Sequence, residues 1–314
     1  MLQTDVIFGI FFISECFVGF IGNSLLFILY MYIFLTQPHL KKPIDVIFIY
    51  LTLFNFLTIM IKLITNITLF FGGRLFLDDI GCKAIWYTYR VTRGLSTCTT
   101  VLLSVFQAIT VSSTNAKWAW LKPKLTSCIS PSFLFFWITN FLITIQTILL
   151  TRANSNSTAH LYGFSQTSCQ IQQLGHSHSI ALTNIVVIRD VLFVALMMCT
   201  SLYMVQLLYR HHRRAQHVHS PSLSSQSSPE NRATHTILLL LSSFVFFYFL
   251  HNVIALYRFH RPEENPHLEK VIGILSLCYP TICPFVLMKN NKLTSKFISS
   301  LSEMEFTFSQ VNLT

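Results

Sequence analysis

Two arginines, Arg90 and Arg93, stand inside the apolar stretch 81–110 (GCKAIWYTYRVTRGLSTCTTVLLSVFQAIT) of a 314-residue chain. A cation at the centre of a membrane span costs about 2.5–3.5 kcal/mol on insertion scales, so it faces a partner or a water-filled cavity instead of lipid. The chemistry such residues offer is the binding of an anion. At the rise of a helix they lie about 12 and 16 Å below Cys82. Arg189 and Asp190 lie about 14–15 Å below the start of a later apolar stretch. Sequence neighbours diverge by about 100° around a helix, so Arg189 and Asp190 are expected not to pair with each other. Asp190 is expected instead to meet Arg93 or Arg90 across the contact between two helices. Glu15 and Lys62, about 14 and 11 Å deep by the same rise, are expected to form a structural ion pair.

Cys82, Trp86, Arg90, Arg93, Thr97 and Thr100 recur at three- to four-residue spacing and make a polar-aromatic stripe on one helix. The stripe is either a packing seam or a ligand-facing surface, and the two cations on it favour the second. Trp86, Tyr89, Arg90, Arg93, Thr97, Arg189, Asp190 and Tyr257 are the pocket candidates. The arginines suit an acidic or sulfated compound, while Trp86, Tyr89 and Tyr257 equally suit an apolar volatile one. The chain contains no GxSxG, HExxH, P-loop or GxGxxG pattern. A retinal Schiff base would need a lysine midway along the last apolar stretch, and Lys270 and Lys289 only flank it. No enzymatic activity, cofactor or metal is expected.

These residues need elements that cross a bilayer. Only 11% of the chain is charged and 29 residues are Phe, against about 25% charged in a typical soluble domain. Mean hydropathy is +0.55, which excludes a soluble globule. Seven stretches have the roughly 20 apolar residues that a crossing requires: about 6–34, 44–71, 82–111, 127–150, 180–208, 233–257 and 268–288. Their continuous apolar character excludes β-barrel strands, which alternate. The fold expected is an all-α bundle of seven transmembrane helices in a single domain, residues 1–314. Pro131 is tolerated in the fourth helix, and Pro280 and Pro284 are expected to kink the seventh near its inner end. The N-terminus lacks a basic region or cleavage site, so the first segment is expected to be a retained anchor.

The net charge of +10 sits in short clusters between apolar segments, not on a continuous basic face, so nucleic-acid binding is rejected. With the N-terminus outside, twelve Lys and Arg residues fall on cytoplasmic pieces, among them Lys117, Lys122, Lys124, Arg213 and Arg214, against five on the outer pieces. The positive-inside rule therefore predicts an outer N-terminus and a cytoplasmic C-terminus. Residues 209–232, with the low-complexity run HHRRAQHVHSPSLSSQSSP, are expected to be a flexible cytoplasmic loop, and 289–314 a short cytoplasmic tail. Of eight cysteines, only Cys82 and Cys169 fall on the oxidising side in this topology, so a Cys82–Cys169 disulfide is expected. Asn156-Ser157-Thr158 is a glycosylation sequon in the longest outer loop, whereas the sequons at Asn66 and Asn312 are expected to be unused.

With these residues in view, the chain resembles the vomeronasal type 1 receptors, a family of rhodopsin-like pheromone receptors. The resemblance runs from Gly22-Asn23 to Lys292. It is most specific over Arg90–Thr110, which ends Phe106-Gln107-Ala108 where most heptahelical receptors have Asp-Arg-Tyr. Pro43-Ile44-Asp45, Trp120-Leu121-Lys122-Pro123-Lys124, HTILLLLSS at 235–243 and Pro284-Phe285-Val286-Leu287 also fit. Val111-Ser112-Ser113 and Cys283 depart from the family pattern. The resemblance implies a plasma-membrane receptor for small pheromone or odorant molecules, coupled to an inhibitory-class heterotrimeric G protein. Without Asp-Arg-Tyr, Gln107 and the basic inner residues Lys117, Lys122, Lys124, Arg213 and Arg214 are expected to contact the G protein. A bitter taste receptor is the nearest alternative, disfavoured because helix seven lacks His-x-x-Ala-Leu. A multi-pass transporter is the alternative from another class, disfavoured because no internal repeat is evident.

Overall fold

The computed structural model describes residues 2–36, 42–71, 79–112, 120–145, 147–148, 151–153, 165–166, 169–171, 176–218, 229–260 and 266–289. Seven helices account for most of them: α1 (Leu2–Thr36), α2 (Pro43–Phe71), α3 (Asp79–Ser112), α4 (Leu121–Thr144), α5 (His176–Val218), α6 (Pro229–His260) and α7 (Pro266–Lys289). Each contains a segment long and apolar enough to cross a membrane. A helix satisfies its backbone hydrogen bonds within itself, which is what a hydrocarbon solvent demands of these sequences.

Two boundaries differ from the sequence reading. Helix α4 begins at Leu121 instead of about 127. Pro123 lies in its first turn, where a missing N–H leaves no internal bond unmade. Helix α5 continues to Val218, ten residues past the apolar run, and α6 already starts at Pro229. Main-chain bonding carries a helix beyond its apolar stretch until a breaker intervenes, and Pro221 is the first one met. Of the loop expected at 209–232, both ends are therefore helical, and 219–228 lies outside the described residues.

Helix α1 packs on α2 and α7, α2 on α3 and α7, α3 on α4, α5 and α6, and α6 on α5 and α7. Helix α3 is the axis of the bundle: 78% of its apolar window is buried, against 17% for α4 and for α5. Its sequence explains the place. Gly94, Ser96, Thr97, Cys98, Thr99, Thr100 and Ser104 are all buried, and small residues let neighbouring backbones come close. The hydroxyls of Thr97, Thr99, Thr100 and Ser104 donate to the helix's own carbonyls, as in Thr99 Oγ1 to Leu95 O at 2.7 Å and Thr100 Oγ1 to Ser96 O at 2.9 Å.

Helix α7 is stapled to α1 through its prolines. Pro284 has no N–H to give the carbonyl of Pro280, four residues earlier. Asn23 Nδ2 fills the vacancy, donating to Pro280 O at 2.9 Å and to Gly19 O at 2.7 Å. Gly22 makes the approach possible, since a Cβ there would lie 2.8 Å from Pro284 Cγ.

A large apolar core, including Leu29, Leu51, Leu103, Phe106, Met204 and Leu240, fills the half of the bundle toward Ser112. Toward Cys82 the apolar contacts shrink to two small clusters, one around Phe12, Ile59 and Leu277 and the other around Phe54, Val91 and Leu95. At that end a three-stranded antiparallel sheet, in the order β1-β3-β2, joins β1 (Thr151–Ala153), β2 (Ser165–Gln166) and β3 (Cys169–Ile171). Strand β1 packs on α3, and Ala153 pairs with Cys169 in β3.

Candidate functional site

Where the apolar core gives way, a cavity opens between α2, α3, α6 and α7. Thr58, Arg93, Ser96, Thr97, Phe244, Phe247, Tyr248, His251, Leu275, Ser276, Tyr279 and Pro280 line it. It has about 40 Å³ of room for water-sized centres, enough for water molecules, and about 410 Å³ of empty space when the open mouth is counted. Rings and aliphatic groups make most of the wall, and a few hydroxyls and one cation supply the polarity.

Arg93 is the centre of the arrangement. Its Nη1 donates to Tyr89 Oη at 2.9 Å and lies 2.8 Å from His251 Nε2. A guanidinium can only donate, so Nε2 is the acceptor and the imidazole carries its proton on Nδ1. That Nδ1 turns toward the Ile272 carbonyl without a well-formed hydrogen bond. The guanidinium carbon also sits 5.5 Å from the centre of the Tyr248 ring. Deeper in, Thr100 Oγ1 and Tyr279 Oη are 2.9 Å apart, and Ser96 Oγ donates to Asn55 Oδ1 at 2.7 Å. Polar contacts thus tie α3 to α2, α6 and α7 around one cavity.

The charge pairs differ from those expected. Arg189 and Asp190 do pair: Nε and Nη2 of the arginine approach the same carboxylate oxygen at 3.0 and 2.8 Å. A long, forked side chain can fold back across the 100° that separates neighbours, and low-dielectric surroundings favour that nearest partner. Arg189 Nη1 reaches on to Asn140 Oδ1 of α4 at 3.3 Å. Gly94 provides the room, because a Cβ there would collide with the Asn140 carboxamide. Asp190 is therefore already engaged, and among the described residues no carboxylate lies within ion-pair distance of Arg90 or Arg93. Lys62 does not pair with Glu15 either. Its Nζ stands 4.3 Å from the Tyr89 ring centre and 5.8 Å from that of Trp86, while Glu15 Oε2 is buried without a hydrogen-bond partner.

Of the eight pocket candidates, Arg93 and Thr97 line the cavity. Tyr89 supports Arg93 from behind, and Trp86 stacks edge-on against Tyr89 with centroids 6.0 Å apart. Arg90, Arg189 and Asp190 do not line the cavity. Tyr257 is a correction: it is 58% exposed. Nine residues beyond Tyr248 on α6, it falls about half a turn away from the cavity face. His251 was missed, although it meets the criterion that singled out Arg93, an ionisable side chain inside an apolar span.

Cys82 is fully buried and disulfide-bonded, while Cys16, Cys98, Cys128, Cys199, Cys278 and Cys283 are free thiols. At the other end Lys122 and Lys124 are exposed, and Lys124 Nζ lies 4.8 Å from the Trp120 ring centre. Gln107 is only 7% exposed and so faces the bundle interior in this arrangement. The side chains of Cys169, Arg213 and Arg214, and residues Asn156 and Lys117 altogether, lie outside the described residues.

Residues 6–300 match the vomeronasal organ pheromone receptor family. Among similar proteins, vomeronasal type-1 receptor 40 of Mus musculus is 35% identical over 96% of both chains. Vomeronasal type-1 receptor 4 of Homo sapiens is 35% identical over 91% of this chain and 94% of that protein. Olfactory receptor class A-like protein 1 of Danio rerio is 31% identical over 95% of this chain and 93% of that protein.

Proposed function

Because the chain belongs to the vomeronasal organ pheromone receptor family, a family of chemosensory G-protein-coupled receptors of the plasma membrane, we propose that it detects a small pheromone or odorant molecule. The ligand binds in the cavity between α3, α6 and α7 and signals through an inhibitory-class heterotrimeric G protein. The observation that carries this reading is the contact of Arg93 with His251, which links the central helix to α6 at the wall of an otherwise apolar cavity. A ligand seated there acts by its different affinity for the two arrangements of the helices.

In this reading the Cys82 end and the N-terminus are outside, as the excess of cationic residues toward the opposite end supports. Cys169 is the partner of Cys82, supported by the disulfide on Cys82, the free state of the six other cysteines and the packing of β1, which pairs with β3, on α3. Asn156 carries a glycan. The G protein meets the basic surface of Lys117, Lys122, Lys124, Arg213 and Arg214. It meets Gln107 only after the helices around it have moved, since that side chain is covered in the present arrangement.

The test is guanine-nucleotide exchange on an inhibitory-class G protein in membranes containing the receptor, challenged with a panel of small organic ligands. Exchange that depends on both ligand and receptor is expected. Solute uptake by expressing cells without any exchange would refute the reading and favour a transporter.

A further inference from the structure

We propose that the cavity takes a small monoanion, a carboxylate in the first instance, whose oxygens bind the Arg93 guanidinium in place of His251 Nε2 and so break the polar contact between α3 and α6. This rests on the receptor reading above and names the ligand class of the same site. The charge inventory points to it. Three cations, Lys62, Arg90 and Arg93, occupy the Cys82 half of the bundle, and among the described residues none has a carboxylate within ion-pair distance. Asp190 is taken by Arg189. The faces of Tyr89, Trp86 and Tyr248 hold Lys62 and Arg93 instead.

A ring face or a neutral imidazole nitrogen is a weaker partner for a desolvated guanidinium than a carboxylate, which offers charge and paired acceptors together. Arg93 lines the cavity, and its present acceptors are the Tyr89 hydroxyl and His251 Nε2. An entering carboxylate therefore competes with His251, which is the side of the pair carried by α6. The hydroxyls of Thr97 and Ser276 flank the same space, and Phe247 and Leu275 offer apolar walls for the rest of the molecule. A neutral ligand offers Arg93 only an uncharged acceptor and so competes less well with the imidazole. Binding and the release of α6 from α3 are then one event.

The experiment uses the full-length receptor with an inhibitory-class G protein. Its probes are straight-chain and arylalkyl monocarboxylates, each beside its methyl ester. At least one acid is expected to drive exchange, with its ester weaker by about tenfold or more, the loss that removing one charge-assisted contact carries. Arg93→Gln should cost the acid about tenfold in potency relative to its ester, and, because it also gives up the contact with His251, it should raise exchange without ligand. If Arg93→Gln does not reach the cell surface, Arg93→Lys, which keeps the charge and loses the fork, should keep the preference for acid over ester but at lower potency than the parent. His251→Leu should raise exchange without any ligand, and His251→Gln, which restores an acceptor, should not.

Esters as potent as acids, an Arg93 variant that responds as the parent does, or a receptor that couples through His251→Leu but answers no acid in the panel would each overturn the anion proposal and leave the receptor reading intact. Absence of exchange from every variant and compound, at normal surface levels, would instead sink the receptor reading itself.

Discussion

Replacing Asn23 tests how α1 and α7 are held together. Its Nδ2 serves the Pro280 carbonyl that Pro284 leaves without a donor, so Asn23→Ala removes an interhelical bond and orphans a buried carbonyl. Interhelical hydrogen bonds in membranes average about 0.6 kcal/mol, and an unsatisfied buried group costs about 1–3 kcal/mol more. Asn23 Oδ1 is itself buried without a partner, and deleting it returns part of that loss. The net expectation is a destabilisation of about 1–2 kcal/mol, a factor of roughly 5–30 in the folded-to-unfolded ratio.

Pro284→Ala restores an N–H four residues beyond Pro280, so in that background the Asn23 bond is redundant. The same Asn23→Ala change should then cost under about 0.5 kcal/mol, the scale within which independent sites add. The assay is resistance of the purified receptor to denaturant for the parent, both single variants and the double variant. Equal costs of Asn23→Ala in the two backgrounds would show that Pro280 O does not depend on Asn23 and would refute the reasoning.

Gly94→Val should depress surface expression by overpacking worth about 1–3 kcal/mol, and Asn140→Ala should recover part of it by vacating the space that the new side chain enters; no recovery would locate the clash elsewhere. A double-mutant cycle of Glu15→Gln with Lys62→Met should give a coupling energy under about 0.5 kcal/mol by expression or thermal inactivation, because Lys62 lies against rings and not against Glu15. A coupling well above that would restore the ion pair. Cys82→Ser, Cys169→Ser and the double variant should lose the same fraction of surface receptor, and peptide mapping of the parent without reduction should recover the two cysteines linked. Asn156→Gln should abolish the mobility shift produced by a glycosidase, and a shift that persists would assign the glycan to another sequon.

The bundle was legible in the sequence because hydropathy is a property of whole segments. Seven runs of apolar residues survive any error of a few positions at their ends, and α4 and α5 show errors of that kind. The membrane constraint on Arg93 was legible for the same reason: a cation in an apolar span must be accommodated somewhere. Its partner was not. Depth along a helix gives one coordinate, whereas pairing also depends on the rotation of each helix and on side-chain reach. Asp190 matched Arg93 in depth yet was captured by its own neighbour. Rotation likewise removed Tyr257 from the cavity and put His251 into it, although both sit on α6. The staple from Asn23 to Pro280 required knowing that α1 and α7 touch, which no local pattern contains.

The unequal filling of the bundle bears on how such receptors diversify. The close-packed half toward Ser112 sets the register of the helices, and a change of volume there is felt throughout the fold. The half toward Cys82 is held by dispersed polar contacts around an incompletely filled space, where side chains at the wall can be exchanged at little expense to folding. A lineage that keeps the first half and edits residues such as Thr97, Phe247 and Leu275 can sample new chemical tastes on a constant frame. On the proposal made above, Arg93 is the residue whose exchange would alter the class of compound perceived, and its neighbours those that would alter only the shape.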